Sequence, residues 1–169
     1  TGKAELLFNT AFQEAPTYTQ AALESKVATD YMDLAHGYSQ REDYDNAARV
    51  LRKIIDLREA AGQGPSNVET AKLSLALADV YISARRYSEL EESLGKLINA
   101  GKGTPLATTT TYAQALEKLA GSLQSGSPKE QELLREALKI REAIPGAEDF
   151  ALVSSLEKLA DSLSRTSKA

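Results

Sequence analysis

The sequence contains no cysteine among its 169 residues, and it contains a single histidine, His36. The absence of cysteine excludes a disulfide framework, a thiolate nucleophile and thiolate metal ligands. The net charge of −4 comes without a dense basic block, so a nucleic-acid interface is not expected. No apolar run approaches the roughly 20 residues needed to span a bilayer, so we expect no membrane-spanning segment.

The residues that are present form an internal repeat. Hydrophobic residues make up 42% of the chain and charged residues 26%, which suits one compact domain or a short repeat array. The clearest repeat pairs LEKLAGSL at 116–123 with LEKLADSL at 156–163, and the two differ only at Gly121 and Asp161. The Leu-Ala pair of this motif recurs at steps of 43, 42 and 40 residues, at Leu34, Leu77, Leu119 and Leu159.

Apolar residues at helical spacing predict eight helices and no strand. The expected ranges are about 4–15, 19–40, 44–61, 67–84, 87–100, 112–124, 128–143 and 148–164. Residues of the types that cap helix N-termini stand at Asp43, Ser66 and Ser127, and Glu130 forms a capping box with Ser127. The consecutive threonines 108–111 are poor helix formers, so the start of the sixth helix is the least defined boundary.

The helices group into pairs that form a single array over residues 1–169. The array divides into a half repeat at 1–16, repeats at about 19–62, 66–101 and 105–144, and a half repeat at 147–169. The first half repeat reads as a second helix, with apolar residues at Ala4, Phe8, Ala11 and Phe12. With a half repeat at each end, we expect the chain to be a fragment of a longer protein. One helix pair cannot bury its apolar stripe alone, so the pairs are expected to stack into a curved solenoid with a concave groove.

This pattern resembles the tetratricopeptide repeat, whose first helix carries an aromatic or Leu, then Leu-Ala or Leu-Gly, then Tyr. The first repeat matches at Tyr31, Leu34, Ala35, Tyr38, Tyr44, Ala47, Leu51 and Ile54. The second matches at Leu77, Ala78, Tyr81, Tyr87, Leu90, Leu94 and Leu97, and the third at Leu116, Leu119, Ala120, Leu123, Leu134 and Ala137. The resemblance implies an all-α, tetratricopeptide-like helical-hairpin solenoid, a right-handed superhelix of about eight antiparallel helices.

The repeat length is similar to that of the kinesin light chain type, since the usual unit has about 34 residues. The runs REAAGQGP at 58–65 and REAIPG at 141–146 are also similar to that type. The sequence departs from the family at Glu130, where a small Ala is expected. The paired Asn of kinesin light chains and the Lys/Asn clamp of co-chaperones are absent, so neither kinesin-type cargo nor a chaperone tail is the expected ligand.

In the family, residues around Leu-Ala in the first helices face the groove. Transferred by register, the candidate partner-binding residues are Met32, Asp33, His36, Gln40, Lys72, Leu75, Asp79, Ile82, Gln114, Glu117, Gln124 and Glu157. Ser39, Ser83 and Asp161 lie at neighbouring groove positions. This mixed polar surface with apolar spots suits an extended or helical peptide. The alternative for each position is an ordinary solvated helix face.

Three further features carry a structural and a functional interpretation. His36 shares a helix face with Asp33 and Gln40, and it either faces solvent or contacts a peptide. The basic strip Arg49, Arg52, Lys53 and Arg58 is either a solvated outer wall or a contact for an acidic partner. The segment GKGT at 101–104 lacks the spacing and the preceding strand of a phosphate loop, so we interpret it as a turn between helices.

We therefore predict a protein-protein interaction module that binds a peptide segment of a partner in the groove, as a scaffold or adaptor. The alternatives are a peptide-sensing regulatory domain and a structural spacer that self-associates through its end helices. No catalytic residues, cofactor or metal ligands are predicted, and we do not expect an enzyme. The compartment is unknown, with the cytoplasm as the default. The fold predicts that Leu119→Asp unfolds the array by burying an unpaired charge.

Overall fold

The computed structural model describes the backbone of residues 20–144 and 149–166, and no strand occurs in these two ranges. They hold seven α-helices and one short 3-10 helix, labelled η1. The order is α1 (Gln20–Ser39), α2 (Tyr44–Ala60), α3 (Val68–Ser83), α4 (Tyr87–Gly101), η1 (Pro105–Thr108), α5 (Thr110–Ser122), α6 (Pro128–Ala143) and α7 (Asp149–Thr166). The helix predicted at 4–15 lies outside the described residues.

Side-chain caps determine where several helices begin. Asp43 accepts a hydrogen bond from the backbone N of Asn46 at 3.3 Å, and Ser127 accepts one from the N of Glu130 at 3.2 Å, as predicted. The Glu130 carboxylate accepts from the backbone N of Gly126 at 2.5 Å. The capping box predicted at the start of α6 therefore forms. Glu130 accepts from the backbone N–H of the residue before the capping serine, whereas the usual capping box uses the N–H of the serine itself.

The predicted cap of α3 was wrong by one residue. Asn67, not Ser66, caps this helix, because its side-chain oxygen accepts from the backbone N of Glu69 at 2.9 Å and of Thr70 at 3.3 Å. The threonine-rich segment also divides differently from the prediction. Thr109 caps α5 by accepting from the N of Tyr112 at 3.3 Å, so α5 starts at residue 110.

The turn within each helical hairpin contains a left-handed residue at an equivalent place. Glu42, Arg85 and Gly126 have φ angles of 59°, 57° and 81°. In the first two turns a backbone N–H donates a hydrogen bond to the carbonyl oxygen five residues earlier. Asp43 N donates to Tyr38 O at 3.0 Å, and the equivalent hydrogen bond forms in the next repeat. This is the Schellman-type helix end, which orients the following helix back along the first.

The described helices pack in sequence, and they share one core. Each helix packs on the next, and α1 also contacts α3, as α3 contacts α5. The alanines of the Leu-Ala pairs lie at these contacts, where Ala35, Ala78 and Ala120 are at most 2% exposed. Small side chains at these positions let neighbouring helices approach closely. The core continues from pair to pair, as expected when repeats stack.

Candidate partner-binding site

The repeat brings residues of α3, α4, α5, α6 and α7 together around one cavity of ≈ 600 Å³. Leu75, Asp79 and Ile82 share one face of α3 because they are spaced i, i+4, i+7. Five predicted groove residues line the cavity, namely Leu75, Asp79, Ile82, Gln114 and Glu117. We define the groove cavity by its lining, which adds Tyr87, Leu90, Lys118, Gly121, Ser122, Arg141, Phe150, Ala151, Ser154 and Lys158.

The groove cavity has apolar walls with a few charged and amide groups. Ile82 is 38% exposed and Phe150 is 82% exposed, although large apolar side chains usually lie inside a protein. Gln114 is exposed beside them and offers both a donor and an acceptor. Apolar surface with few polar groups is the usual chemistry of a binding site.

Glu117 is a buried carboxylate at the wall of the groove cavity. Its Oε1 accepts hydrogen bonds from Arg141 Nε at 2.7 Å and Ser155 Oγ at 2.6 Å, and its Oε2 accepts from Lys158 Nζ at 2.9 Å. Burial alone would raise the pKa of Glu117, but these three hydrogen bonds together outweigh it, so the pKa lies below its usual range. The carboxylate thus joins α5, α6 and α7 as an anion.

The sequence-based prediction missed the partners of Glu117. It placed Glu117 on the groove surface by register, whereas the structure buries its side chain to 7% exposure in ion pairs. Arg141 and Ser155 reach it from other helices, and nothing in their local sequence indicates the contact. Lys158 does carry a signal, because it repeats Lys118 at a step of 40 residues, and Lys118 pairs with Asp79 on the preceding first helix.

The other predicted groove residues do not line the cavity. They are Met32, Asp33, His36, Gln40, Lys72, Gln124 and Glu157, and all seven are exposed. Gln40 Nε2 lies 2.8 Å from His36 Nε2, and Lys72 pairs with Glu69 at 2.7 Å. The binding role of these residues stays a prediction.

Leu75 and Glu117 differ from the other candidates because, counted as whole residues, they are only 7% and 9% exposed. Both stand two residues before the Leu of the Leu-Ala pair in their repeats. The equivalent Met32 is 38% exposed. Because Leu75 and Glu117 are buried, they offer little surface to a partner. They form part of the wall of the cavity and not its exposed rim.

The basic strip on α2 has one member that is not on a solvated face. Arg49, Arg52 and Lys53 are exposed. Arg58 is 7% exposed, and its Nε donates to Thr70 Oγ1 at 3.0 Å, so this arginine links α2 to α3. A pattern of charged residues cannot show this, because Thr70 lies on the next helix.

The segment at 101–104 forms a turn, as predicted. Gly101 ends α4, Gly103 has a φ of 73°, and Thr104 caps η1 by accepting from the backbone N of Leu106 at 3.3 Å. Among residues 20–144 and 149–166, no group of three or more His, Asp or Glu residues could hold a metal ion. The helices in these ranges also lack the combination of length and hydropathy that a membrane-spanning helix needs.

Comparison with known proteins indicates the fold. No protein-family model matches the sequence, and no curated protein sequence matches it. The crystal structure of BtubC (BKLC) from P. vanneervenii, a kinesin light chain-like protein, is similar to this chain with a TM-score of 0.71. The match covers 98% of this chain and 68% of that chain. The sequence identity is 20%, and a structural similarity at this level of identity shows the fold alone. The chain therefore has an all-α, tetratricopeptide-like helical-repeat fold.

Proposed function

We propose that the chain is a non-catalytic protein-interaction module that binds a peptide segment of a partner protein across the groove cavity. The observation that carries this proposal is the cavity of ≈ 600 Å³, in which exposed apolar side chains stand beside polar groups able to orient a ligand. A volume of this size falls within the range of about 300–1,000 Å³ that is usual for ligand sites. The tetratricopeptide-like fold, which generally serves protein interactions, supports the same assignment.

The chemistry of the cavity indicates how a peptide segment would sit. One large apolar side chain of the partner would enter between Ile82 and Phe150, two of the exposed apolar residues of the lining. Gln114 would then be within reach of the peptide backbone, because it lies on the adjoining helix α5. A central apolar anchor surrounded by polar contacts is the arrangement that supplies most of the affinity in interfaces.

Preorganisation of the cavity supports binding without large rearrangement. The ion pairs of Glu117 with Arg141 and Lys158 tie together three of the helices that line the site. A second ion pair joins Asp79 of α3 to Lys118 of α5. A site that is already ordered loses less conformational entropy when a ligand binds.

A peptide-display selection tests the proposal. Random peptides are selected on the folded chain, and the affinity of the winners is measured for the wild type, for Ile82→Asp and for Val68→Asp. Val68 is a matched control, since it lies on the same helix, is 37% exposed and does not line the cavity. We expect Ile82→Asp to weaken binding by about tenfold or more and Val68→Asp to leave it unchanged. Equal binding by all three proteins would contradict the site assignment.

The regulatory alternative makes a different prediction for the same peptides. A peptide-sensing domain would change the curvature of the solenoid on binding, so the radius of gyration in X-ray scattering would change at saturation. The preorganised site favours an unchanged radius. An altered radius would favour the sensor over a rigid scaffold or adaptor.

A further inference from the structure

The helix α7 docks on its neighbours mainly through small polar side chains. Among the side chains of α7 that the structure describes, only Ser155 and Ser162 are buried, at 1% and 2% exposure. Val153 and Leu156, on its outward side, are 47% and 45% exposed. Leu159 packs against the core but is only partly buried. The contact of α7 with the rest of the chain therefore contains little buried apolar surface.

The docking position of Ser155 is apolar in the two preceding first helices. Steps of 40 and 42 residues lead from Ser155 back to Ala115 of α5 and Leu73 of α3, and both of these residues are at most 1% exposed. The helix α5 also buries Tyr112 and Leu116 completely. Because burial of apolar surface is the dominant favourable contribution to packing, α7 is held less firmly than α3 and α5.

Two buried carboxylates hold α7 in place. Ser155 Oγ donates to Glu117 Oε1 of α5, and Ser162 Oγ donates to Glu130 Oε2 of α6, both at 2.6 Å. Lys158 Nζ donates to Glu117 Oε2 at 2.9 Å. We define these three hydrogen bonds, donated by Ser155, Lys158 and Ser162, as the polar latch.

Both carboxylates of the polar latch keep a partner when α7 moves away. Glu117 still accepts from Arg141 Nε of α6 at 2.7 Å, and Glu130 still accepts from the backbone N of Gly126 at 2.5 Å. Neither carboxylate depends on α7 alone, and both would gain contact with water. Undocking of α7 therefore leaves no acceptor buried without a hydrogen bond, which is the costly outcome.

The donors of the polar latch also have other partners. Ser155 Oγ lies 3.0 Å from the carbonyl oxygen of Ala151 in its own helix, so its proton has a second acceptor there. The side chain of Lys158 is already 47% exposed, and water can accept from its ammonium group. Water likewise replaces Glu130 as the acceptor for Ser162. The net stabilisation by such exchangeable hydrogen bonds is modest.

Undocking of α7 changes the groove cavity, because this helix supplies one of its walls. Phe150, Ala151, Ser154 and Lys158 belong to the lining. The remaining walls come from α3 to α6, whose apolar residues form the shared core. When α7 moves away, the cavity loses its least firmly held wall and opens to solvent.

We propose that α7 undocks as a unit from α5 and α6 by breaking the polar latch, and that this movement opens and closes the groove cavity. The docked form is the one described above, in which the cavity is already ordered. In the open form, an apolar side chain of a partner has free access to Ile82. For a ligand, the consequence rests on the function proposed above: a peptide that contacts both α7 and α3 binds the docked form better and shifts the equilibrium toward it.

Native-state hydrogen exchange of the whole chain, measured for single amides by NMR, tests the movement without a ligand. The amides from Leu156 to Ser162 of α7 should share one equilibrium constant for opening, because the helix moves as a unit. This constant should be at least about tenfold larger than that of the amides of Leu116 and Ala120 in α5, which exchange through more extensive unfolding.

A matched pair of variants tests whether the polar latch controls the movement. Ser155→Ala with Ser162→Ala removes two of its donors, and Ser164→Ala is the control, since Ser164 is an exposed serine of the same helix. Both changes raise helix propensity, so their difference reports docking alone. The double variant should open α7 about tenfold or more above the control. Lys158→Met is a second variant, at a half-exposed position, and should act in the same direction if the double variant fails to fold.

The coupling to a ligand is measured with the peptide obtained by display selection. If the peptide binds only the docked form, the opening constant of α7 should fall by the factor 1 + [peptide]/Kd, which is about a hundredfold at a free concentration of 100 Kd. Unchanged exchange of α7 at this concentration would overturn the claim that α7 closes over the ligand.

Two results without a ligand would overturn the proposal. One is exchange of the α7 amides no faster than that of the α5 amides, since the helix would then open only with the whole chain. The other is equal exchange of α7 in the double serine variant, in Lys158→Met and in the control. A selection that yields no peptide would instead contradict the proposed function and leave the ligand-free result intact, so the two proposals fail separately.

Discussion

Glu117 and Arg141 form an ion pair in which each side chain is 7% exposed, with Arg141 Nε donating to Glu117 Oε1 at 2.7 Å. The pair joins α5 to α6 beside the groove cavity. The loss of one partner leaves the other charge buried without compensation, which typically destabilises a protein by about 3–5 kcal/mol. We expect Glu117→Gln to lower the free energy of unfolding by about 3 kcal/mol, as measured by urea denaturation.

Glu157→Gln is the matched control, because Glu157 is exposed and repeats the position of Glu117 forty residues later. It should change stability by less than about 0.5 kcal/mol. The double change Glu117→Leu with Arg141→Met should be less destabilising than the sum of the single changes, since it leaves no buried charge unpaired: Lys158 loses its partner but is 47% exposed. Leu75 occupies the equivalent place in the previous repeat as a buried leucine. Equal stability of Glu117→Gln and Glu157→Gln would contradict this role.

The lowered pKa of Glu117 predicts how stability depends on pH. Although burial opposes it, the combined hydrogen bonds from Arg141, Ser155 and Lys158 lower the pKa in the folded chain below the ordinary 4.5. The unfolded chain therefore binds this proton more readily than the folded chain. The contribution of Glu117 is fully present above the unfolded pKa and is lost as the pH falls through the folded pKa.

The measurement compares urea unfolding of the wild type and Glu117→Gln from neutral pH to about pH 3. The difference in stability should stay constant above the ordinary pKa and should narrow in acid. A difference that widens in acid would show that the folded state raises this pKa rather than lowering it.

A close contact explains the glycine at the end of α4. A Cβ built at Gly101 would lie 2.7 Å from Cε2 of Tyr112, whose ring is fully buried and whose hydroxyl donates to the Ile98 carbonyl at 3.1 Å. We expect Gly101→Ala to cost about 1–3 kcal/mol through overpacking. Gly95→Ala, in the same helix with nothing within 4 Å, should instead stabilise by about 0.5–1 kcal/mol. Thermal unfolding of the two variants checks the opposite signs.

The core of the third repeat centres on Leu116 rather than on Leu119. Leu116 is 0% exposed, whereas Leu119 is only partly buried. Leu116→Ala should therefore cost about 2–5 kcal/mol, and Leu119→Ala should cost clearly less. The sequence predicts that Leu119→Asp unfolds the array. Leu116→Asp should destabilise it more, because Leu116 is more deeply buried. Equal losses of unfolding free energy in the two variants would show that burial does not determine how much each leucine contributes to stability.

The helices were predictable from the sequence because local signals mark them. Asp43 and Ser127 begin helices as predicted, and residues 128–143 form α6 with the expected ends. The N-cap of α3 was predicted at Ser66 instead of Asn67, because serine and asparagine are equally suitable N-cap residues and the sequence does not distinguish them. Thr109 shows the same limit, because a run of four threonines does not reveal which one accepts the hydrogen bond.

The candidate site was predictable only in part, because it depends on contacts between distant residues. Register alone brought Asp79, Ile82 and Gln114 to one cavity. The burial of Glu117 follows from Arg141 on α6 and Ser155 on α7, which are 24 and 38 residues away in sequence. The burial of Arg58 fits neither interpretation of the basic strip and could not be predicted for the same reason, since its partner Thr70 is on the next helix.

Mapping a selected peptide onto the chain by amide chemical shifts tests the central claim most directly. If the groove cavity binds the peptide, the largest shifts at saturation should fall on the amides of Asp79, Ile82, Gln114, Gly121 and Ser154, which line it. The amides of Arg49 and Lys53 on α2 should not move. Shifts concentrated on α2, or along the outward side of α7 around Val153 and Leu156, would contradict peptide binding in the groove cavity.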